Sequence, residues 1–177
     1  MREIDLGNIR NEAKTLRAGD RVTLTGILHT ARDAAHKRVC ALLAAGEPLP
    51  FALGGAVVYY AGPTPTKPGH VIGSCGPTTS GRMDSYTPAL LARGLAAMVG
   101  KGERSAAVCA SIVEHAAPYF CAVGGAGALA ARCVESCEEI AFADLGCESV
   151  KRLVVRQFPV ILAIDIYGGN LFARQEK

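Results

Sequence analysis

Short apolar runs of strand character alternate with segments of helical spacing along most of the chain. This alternation limits the fold more than any other feature. In Arg21–Leu28, Val22, Leu24, Gly26 and Leu28 alternate with Thr23, Thr25 and Ile27, the two-residue period of a strand. A helix is predicted next, with Asp33 as N-cap, Ala35, Val39, Leu42 and Leu43 on one side, and Gly46 at its end. Pro48 and Pro50 then break the chain. Ala56–Tyr60, Ala96–Val99 and Tyr119–Val123 read as further strands. Helices are predicted over Thr87–Arg93 (Thr87 capping, Pro88 opening), Ser105–Ala116 and Ala128–Cys137. A weak strand near Ile4–Ile9 precedes these elements, and Ile140–Phe142, Leu153–Val155 and Val160–Ile166 close the series. The last run is almost wholly apolar, as a central strand should be. The pattern predicts an α/β fold with a sheet that is at least partly parallel.

No stretch of linker composition divides the 177 residues, so a single domain over 1–177 is expected, long enough for a real core. The net charge of +3 argues against a strongly basic nucleic-acid binder. No window of about 18 uninterrupted apolar residues offers a membrane span. The first residues, MetArgGluIleAspLeuGlyAsn, lack the apolar core of a signal peptide. Seven cysteines, at 40, 75, 109, 121, 133, 137 and 147, form an odd set without a CxxC. A disulfide framework is therefore not expected, and the composition points to the reducing cytoplasm.

The loop Gly73–Asp84 concentrates glycines with Ser74, Thr78, Thr79, Ser80, Arg82 and Asp84. Glycines admit backbone N–H groups to an anion, hydroxyls add donors, and Arg82 can hold a carboxylate through two parallel bonds. Composition alone also fits a solvated turn. Arg32 lies between a strand and a helix, where ligands of open α/β sheets usually sit, and His36 can share its helical face. A surface arginine and a partly buried histidine are the plainer alternatives. Asp33 and Lys37 read as an ordinary solvated pair without a role. Lys101, between Gly100 and Gly102 after a strand, is placed either to meet a ligand or to decorate a turn. GlyGlyAlaGly (124–127) has only half of a dinucleotide fingerprint and reads as close packing. Cys133 and Cys137 lack the further ligands a metal site needs, and Cys75 lacks a local base.

Six segments occur together in this order: ThrAlaArgAspAlaAlaHisLys (30–37), TyrTyrAlaGlyPro (59–63), GlyProThrThrSerGlyArgMetAsp (76–84), MetValGlyLysGly (98–102), AlaValGlyGlyAlaGlyAlaLeu (122–129) and AspLeuGlyCysGluSerVal (144–150). From about Leu16 to Phe172 the chain resembles the β part of class I, iron–sulfur-dependent fumarate hydratases, and the related L-tartrate dehydratase β subunit. The resemblance implies a swivelling β/β/α domain and the reversible addition of water to fumarate, giving (S)-malate. It implies a four-iron, four-sulfur cluster held by a partner α subunit and not by this chain, and a dimer of αβ pairs. In that family the open iron acts as Lewis acid on the departing hydroxyl. Arg32, Arg82 and Lys101 match positions that hold the substrate carboxylates, Thr78 the proposed base, and His36 the active-site histidine. The segment GlyCysGluSerVal departs from the family pattern and is expected not to touch the site. Two alternatives stand beside fumarate hydration: tartrate dehydration, and a non-catalytic dicarboxylate-binding or assembly module.

Overall fold

A computed structural model describes residues 1–123 and 125–173. Seven strands form one sheet: β1 (Arg2–Asp5), β2 (Arg21–Thr30), β3 (Val57–Tyr59), β4 (Ala97–Gly100), β5 (Tyr119–Ala122), β6 (Val134–Ala141) and β7 (Val150–Ile164). Strands β1 to β5 run parallel in sequence order, and β7 lies antiparallel to β5, β6 and β2. Because β7 pairs with both β5 and β2, strands β2, β3, β4, β5 and β7 close into a barrel-like ring. The helices are α1 (Ile9–Glu12), α2 (Asp33–Ala45), α3 (Thr87–Ala92), α4 (Ala106–Glu114) and α5 (Gly127–Arg132).

Strand alternation divides the core in two. Val22, Leu24, Leu28, Val57, Tyr59, Val99, Phe120, Leu153 and Leu162 pack together on the face the ring encloses. Their sequence neighbours Val58, Tyr60, Met98, Tyr119 and Ala163 pack instead with Ala35 and Val39 of α2, Leu90 and Leu91 of α3, and Val108 and Ile112 of α4. A strand buried on both faces reads as a continuous apolar run, which is how β3, β4 and the end of β7 appear in the sequence.

Five expectations change. The strand expected near Ile4–Ile9 lies earlier, as β1, and the chain from Leu6 to Thr15 is helical instead. Leu153–Val155 and the run from Val160 belong to one strand, β7, which ends at Ile164 and not at Ile166; its pairing with β2 carries an extra residue between Val155 and Phe158. Gln157 sits there at φ 52°, and its N–H donates to Thr25 Oγ1 at 3.0 Å. This bulge hides the continuity of the strand. The helix predicted over Ala128–Cys137 ends at Arg132, and β6 follows. Pairing with the first half of β7 overrides the local helix preference, and the exposed glutamates at 135 and 138 face solvent from an edge. Asp33 is the first residue of α2 and not its cap: the position before it is Arg32, and the Glu148 side chain receives the Ala34 N–H at 3.0 Å instead. Thr87 likewise lies inside α3, donating its hydroxyl to the Met83 carbonyl at 2.9 Å.

Candidate active site

Parallel strands deliver their C-terminal ends to one side of the sheet, and the candidate residues gather there. Arg32 follows β2 and opens α2. The segment TyrTyrAlaGlyPro begins on the last residue of β3, and Lys101 follows β4. Residues 77–79 run across these ends. Pro77 bridges to Ala61, the Thr78 N–H donates to the Tyr60 carbonyl at 2.7 Å, and Thr79 bridges to Lys101. The Ser80 N–H donates to the Lys101 carbonyl at 2.9 Å, and the Lys101 N–H donates to Ser80 Oγ at 3.0 Å. Backbone bonds of this kind set Thr78, Thr79 and Lys101 side by side without help from their side chains.

The two arginines meet across a carboxylate. Arg82 donates from Nε to Asp33 Oδ1 at 2.8 Å and from Nη1 to Thr78 Oγ1 at 3.4 Å. Arg32 lies with Nε 3.9 Å from Asp33 Oδ2 and Nη2 3.6 Å from Glu148 Oε1. Gly62 lets it lie so close, since a Cβ there would stand 2.8 Å from Arg32 Cδ and 3.0 Å from the Cys147 carbonyl. Arg82 is half exposed and Thr78 partly buried, whereas Thr79 is exposed. Among the described residues Lys101 forms no ion pair.

His36 lies one turn beneath Arg32, 1% exposed. Its Nδ1 and its backbone N–H each sit 2.8 Å from the Arg32 carbonyl, and its ring packs edge-on against Tyr60 at 5.4 Å between centroids. The geometry fits an Nδ1–H donor, which leaves Nε2 buried without a partner. Burial drives its pKa down to about 4, partly offset by the Arg32 carbonyl, so the ring is neutral near pH 7. It supports the backbone that presents Arg32 and does not open on the arginines' solvent side.

Behind Lys101 stands a buried polar network. Tyr119 donates its hydroxyl to Ser80 Oγ at 2.8 Å, and Arg104 donates to Thr87 Oγ1 at 2.8 Å and from Nε to Asp84 Oδ1 at 2.7 Å. The Arg104 guanidinium lies 5.2 Å and 4.9 Å from the Tyr60 and Tyr119 ring centroids. Its side chain is fully buried. This cation fixes the base of the site and adds positive potential below it.

Asp33 and Glu148 correct the sequence reading. Asp33 pairs with Arg82 and not with Lys37, and the segment GlyCysGluSerVal does touch the site, through Glu148 and the Cys147 carbonyl. Nothing local in the sequence marks Glu148, because its partners Arg32 and Ala34 are more than a hundred residues away. Cys75 is buried and its thiol is pushed up to about 12 by burial, with the Cys137 thiol adding to the shift, which makes it a poor nucleophile. Gly127 packs on the loop as expected: a Cβ there would meet Ser74 Oγ at 2.4 Å and the Gly76 nitrogen at 2.9 Å. Gly124, in the same turn, lies outside the described residues.

All seven cysteines are unpaired, and among the described residues no three His, Cys, Asp or Glu side chains converge as metal ligands. The described residues therefore do not fit an iron–sulfur cluster, which needs several converging thiolates. What this side of the sheet does offer is a set of cations, with a hydroxyl between them, at the mouth of a ring-shaped α/β domain.

Cations and a hydroxyl gathered at one sheet end are chemically suited to an anion. The chain belongs to the fumarase C-terminus family, whose model matches residues 1–175. It is 38% identical over 154 residues to the anaerobic class I fumarate hydratase of Escherichia coli, covering 86% of this chain and 28% of that protein. Fumarate hydratase 2 of Leishmania major is 35% identical over 171 residues, covering 96% of this chain and 30% of the relative. The chain thus spans less than a third of these fumarate hydratases. A putative L(+)-tartrate dehydratase subunit beta of Methanocaldococcus jannaschii is 35% identical over 174 residues, covering 95% and 89%.

Proposed function

We propose that this chain is the β part of an iron–sulfur hydro-lyase that interconverts fumarate and (S)-malate. The observation that carries the reading is the convergence of Arg32, Arg82, Lys101 and Thr78 at the ends of β2, β3 and β4. A dianionic substrate loses hydration on binding, and the loss is tolerable only where cations replace the water. The two guanidiniums offer planar forks for carboxylates, and the lysine offers a point charge. In the dehydrating direction Thr78 Oγ takes the proton from the carbon next to the carbinol carbon, and the cations stabilise the negative charge that spreads onto the adjacent carboxylate. That electron pair then forms the double bond as the carbinol C–O bond breaks and hydroxide departs, to a metal centre that the partner would supply. Arg82 and Lys101 also favour an alkoxide-like Thr78 oxygen. His36 serves by holding Arg32.

The iron–sulfur group belongs, in this reading, to an α partner that covers the open face, and two αβ pairs form the assembly. The domain moves against that partner as a swivelling β/β/α unit. Seven unpaired thiols suit the cytoplasm. Tartrate dehydration is the second reading, favoured by one fact: the chain covers most of a tartrate dehydratase β subunit but under a third of the fumarate hydratases. The test is to combine the chain with its anaerobically prepared partner and assay fumarate, malate and L-tartrate. Turnover of fumarate and malate supports the first reading, and turnover of tartrate alone supports the second. Saturable dicarboxylate binding with no turnover of any of the three would leave only a binding module.

A further inference from the structure

An aspartate is an odd neighbour for a dianion. On charge alone Asp33 should repel any dicarboxylate held by Arg32 and Arg82, yet it sits between them. Its place in the fold explains this. As the first residue of α2 it stands on a rigid element, at the helix end whose partial positive charge favours a carboxylate. From there it takes the Nε–H of Arg82, which lies 49 positions away in a short 3-10 helix, Ser80–Met83. Engaged through Nε, Arg82 still has its Nη2 hydrogens and the second Nη1 hydrogen for a substrate carboxylate, beside the 3.4 Å contact from Nη1 to Thr78 Oγ1. The other oxygen, Asp33 Oδ2, is buried without a hydrogen-bond partner, as is Arg32 Nε. These two orphaned atoms face each other at 3.9 Å. A shift of about 1 Å would bring them into an ordinary hydrogen bond.

We infer that Asp33 is a positioning residue that sets the spacing and orientation of the two carboxylate-binding arginines. It acts through Arg82 and Arg32 and does not touch the substrate. The inference takes its substrate class from the hydro-lyase reading, while the clamp itself rests on the geometry of this chain. Charge and position make opposite predictions for Asp33→Asn. Removing a negative charge should tighten dianion binding if Asp33 is a bystander. If Asp33 is the clamp, Arg82 loses its anchor and binding weakens.

The test has two arms. In the full chain, nitrogen-15 NMR of the arginine side chains reads the exchange of the Arg82 Nε–H with water. Exchange should be slowed in the parent chain and accelerate to that of a solvated arginine in Asp33→Asn, while the melting curve keeps its shape. Asp33→Glu keeps the charge at a longer reach and should restore part of the protection. With the cluster-bearing partner added, Asp33→Asn should raise KM for the dicarboxylate at least about tenfold and lower kcat less, as expected for a group that orients binding residues. Equal exchange in both chains, or a KM that is unchanged or lower in Asp33→Asn, overturns the clamp. A parent assembly inactive on every four-carbon dicarboxylate, with the exchange contrast intact, removes the hydro-lyase reading and leaves the clamp standing.

Discussion

At the scale of single residues, Thr78 and Thr79 separate function from scaffold. Thr78 Oγ1 receives Arg82 and is partly buried, whereas Thr79 is exposed and joins Lys101 through its backbone. Thr78→Ala is expected to cost at least about 100-fold in kcat of the assembled enzyme, with little change in KM. Thr79→Ala should be nearly silent, and equal small losses in both would show that loop shape, not the hydroxyl, matters. Arg82→Lys keeps the charge but loses the fork and should lower kcat/KM by roughly 10- to 1,000-fold. Arg38→Ala, which removes an exposed pair with Asp144 and a guanidinium over the Phe142 ring, should leave it unchanged. His36 makes a prediction about pH. Its pKa falls from 6.5 in the unfolded chain to about 4 in the fold, so the unfolded state binds the extra proton between these values. Its contribution to stability is complete above pH 6.5, falls as the pH drops toward 4, and levels off below, for a total of roughly 3 kcal/mol. Denaturant titrations at several pH values should show this slope in the parent chain and its loss in His36→Phe. The sequence offered Arg32, Thr78, Arg82 and Lys101 as candidates because cations and hydroxyls among glycines are visible locally, and the fold brings them to the same sheet end. The sequence hid Asp33 and Glu148, whose meaning comes from partners far away along the chain.

At the scale of elements, the site depends on how β4 meets the loop after β3. Gly100 ends β4 where a Cβ would stand 2.0 Å from Ser80 Oγ and 2.8 Å from Tyr60 Cδ2. Both neighbours are buried and cannot yield cheaply. Gly100→Ala is expected to destabilise the fold by about 1–3 kcal/mol. Because Ser80 Oγ holds the Lys101 N–H, it should also reduce activity beyond what the loss of folded protein explains. Thermal melts beside kinetics on the folded fraction separate the two effects. The helices and strands that alternate cleanly were legible from periodicity, including α2, β3, β4 and α4. The elements misread include β6, where antiparallel pairing outweighed helix propensity, β7, where a one-residue bulge concealed a continuous strand, and the segment after β1, which is helical rather than extended.

At the scale of the molecule, a ring of strands presents cations on one side and leaves that side open. No helix among the described residues is long and apolar enough to cross a membrane. The purified chain is expected to be colourless and inactive alone, with visible absorption, iron and activity all arriving with the partner. A stoichiometric iron–sulfur spectrum from this chain by itself, or malate–fumarate turnover without the partner, would contradict the division of labour proposed above.

Local information determined the class of fold and the order of most elements, and it marked Arg32, Thr78, Arg82 and Lys101 as candidates, because periodicity, glycine-rich turns and fixed charges are properties of short segments. The closure of the ring, the clamp of Asp33 on two arginines and the reach of Glu148 to the start of α2 were decided only by the tertiary structure. Each depends on β7 returning to pair with β2, or on groups tens of residues apart meeting at one sheet end. The energy of such contacts depends on distance in space, which separation along the chain does not specify.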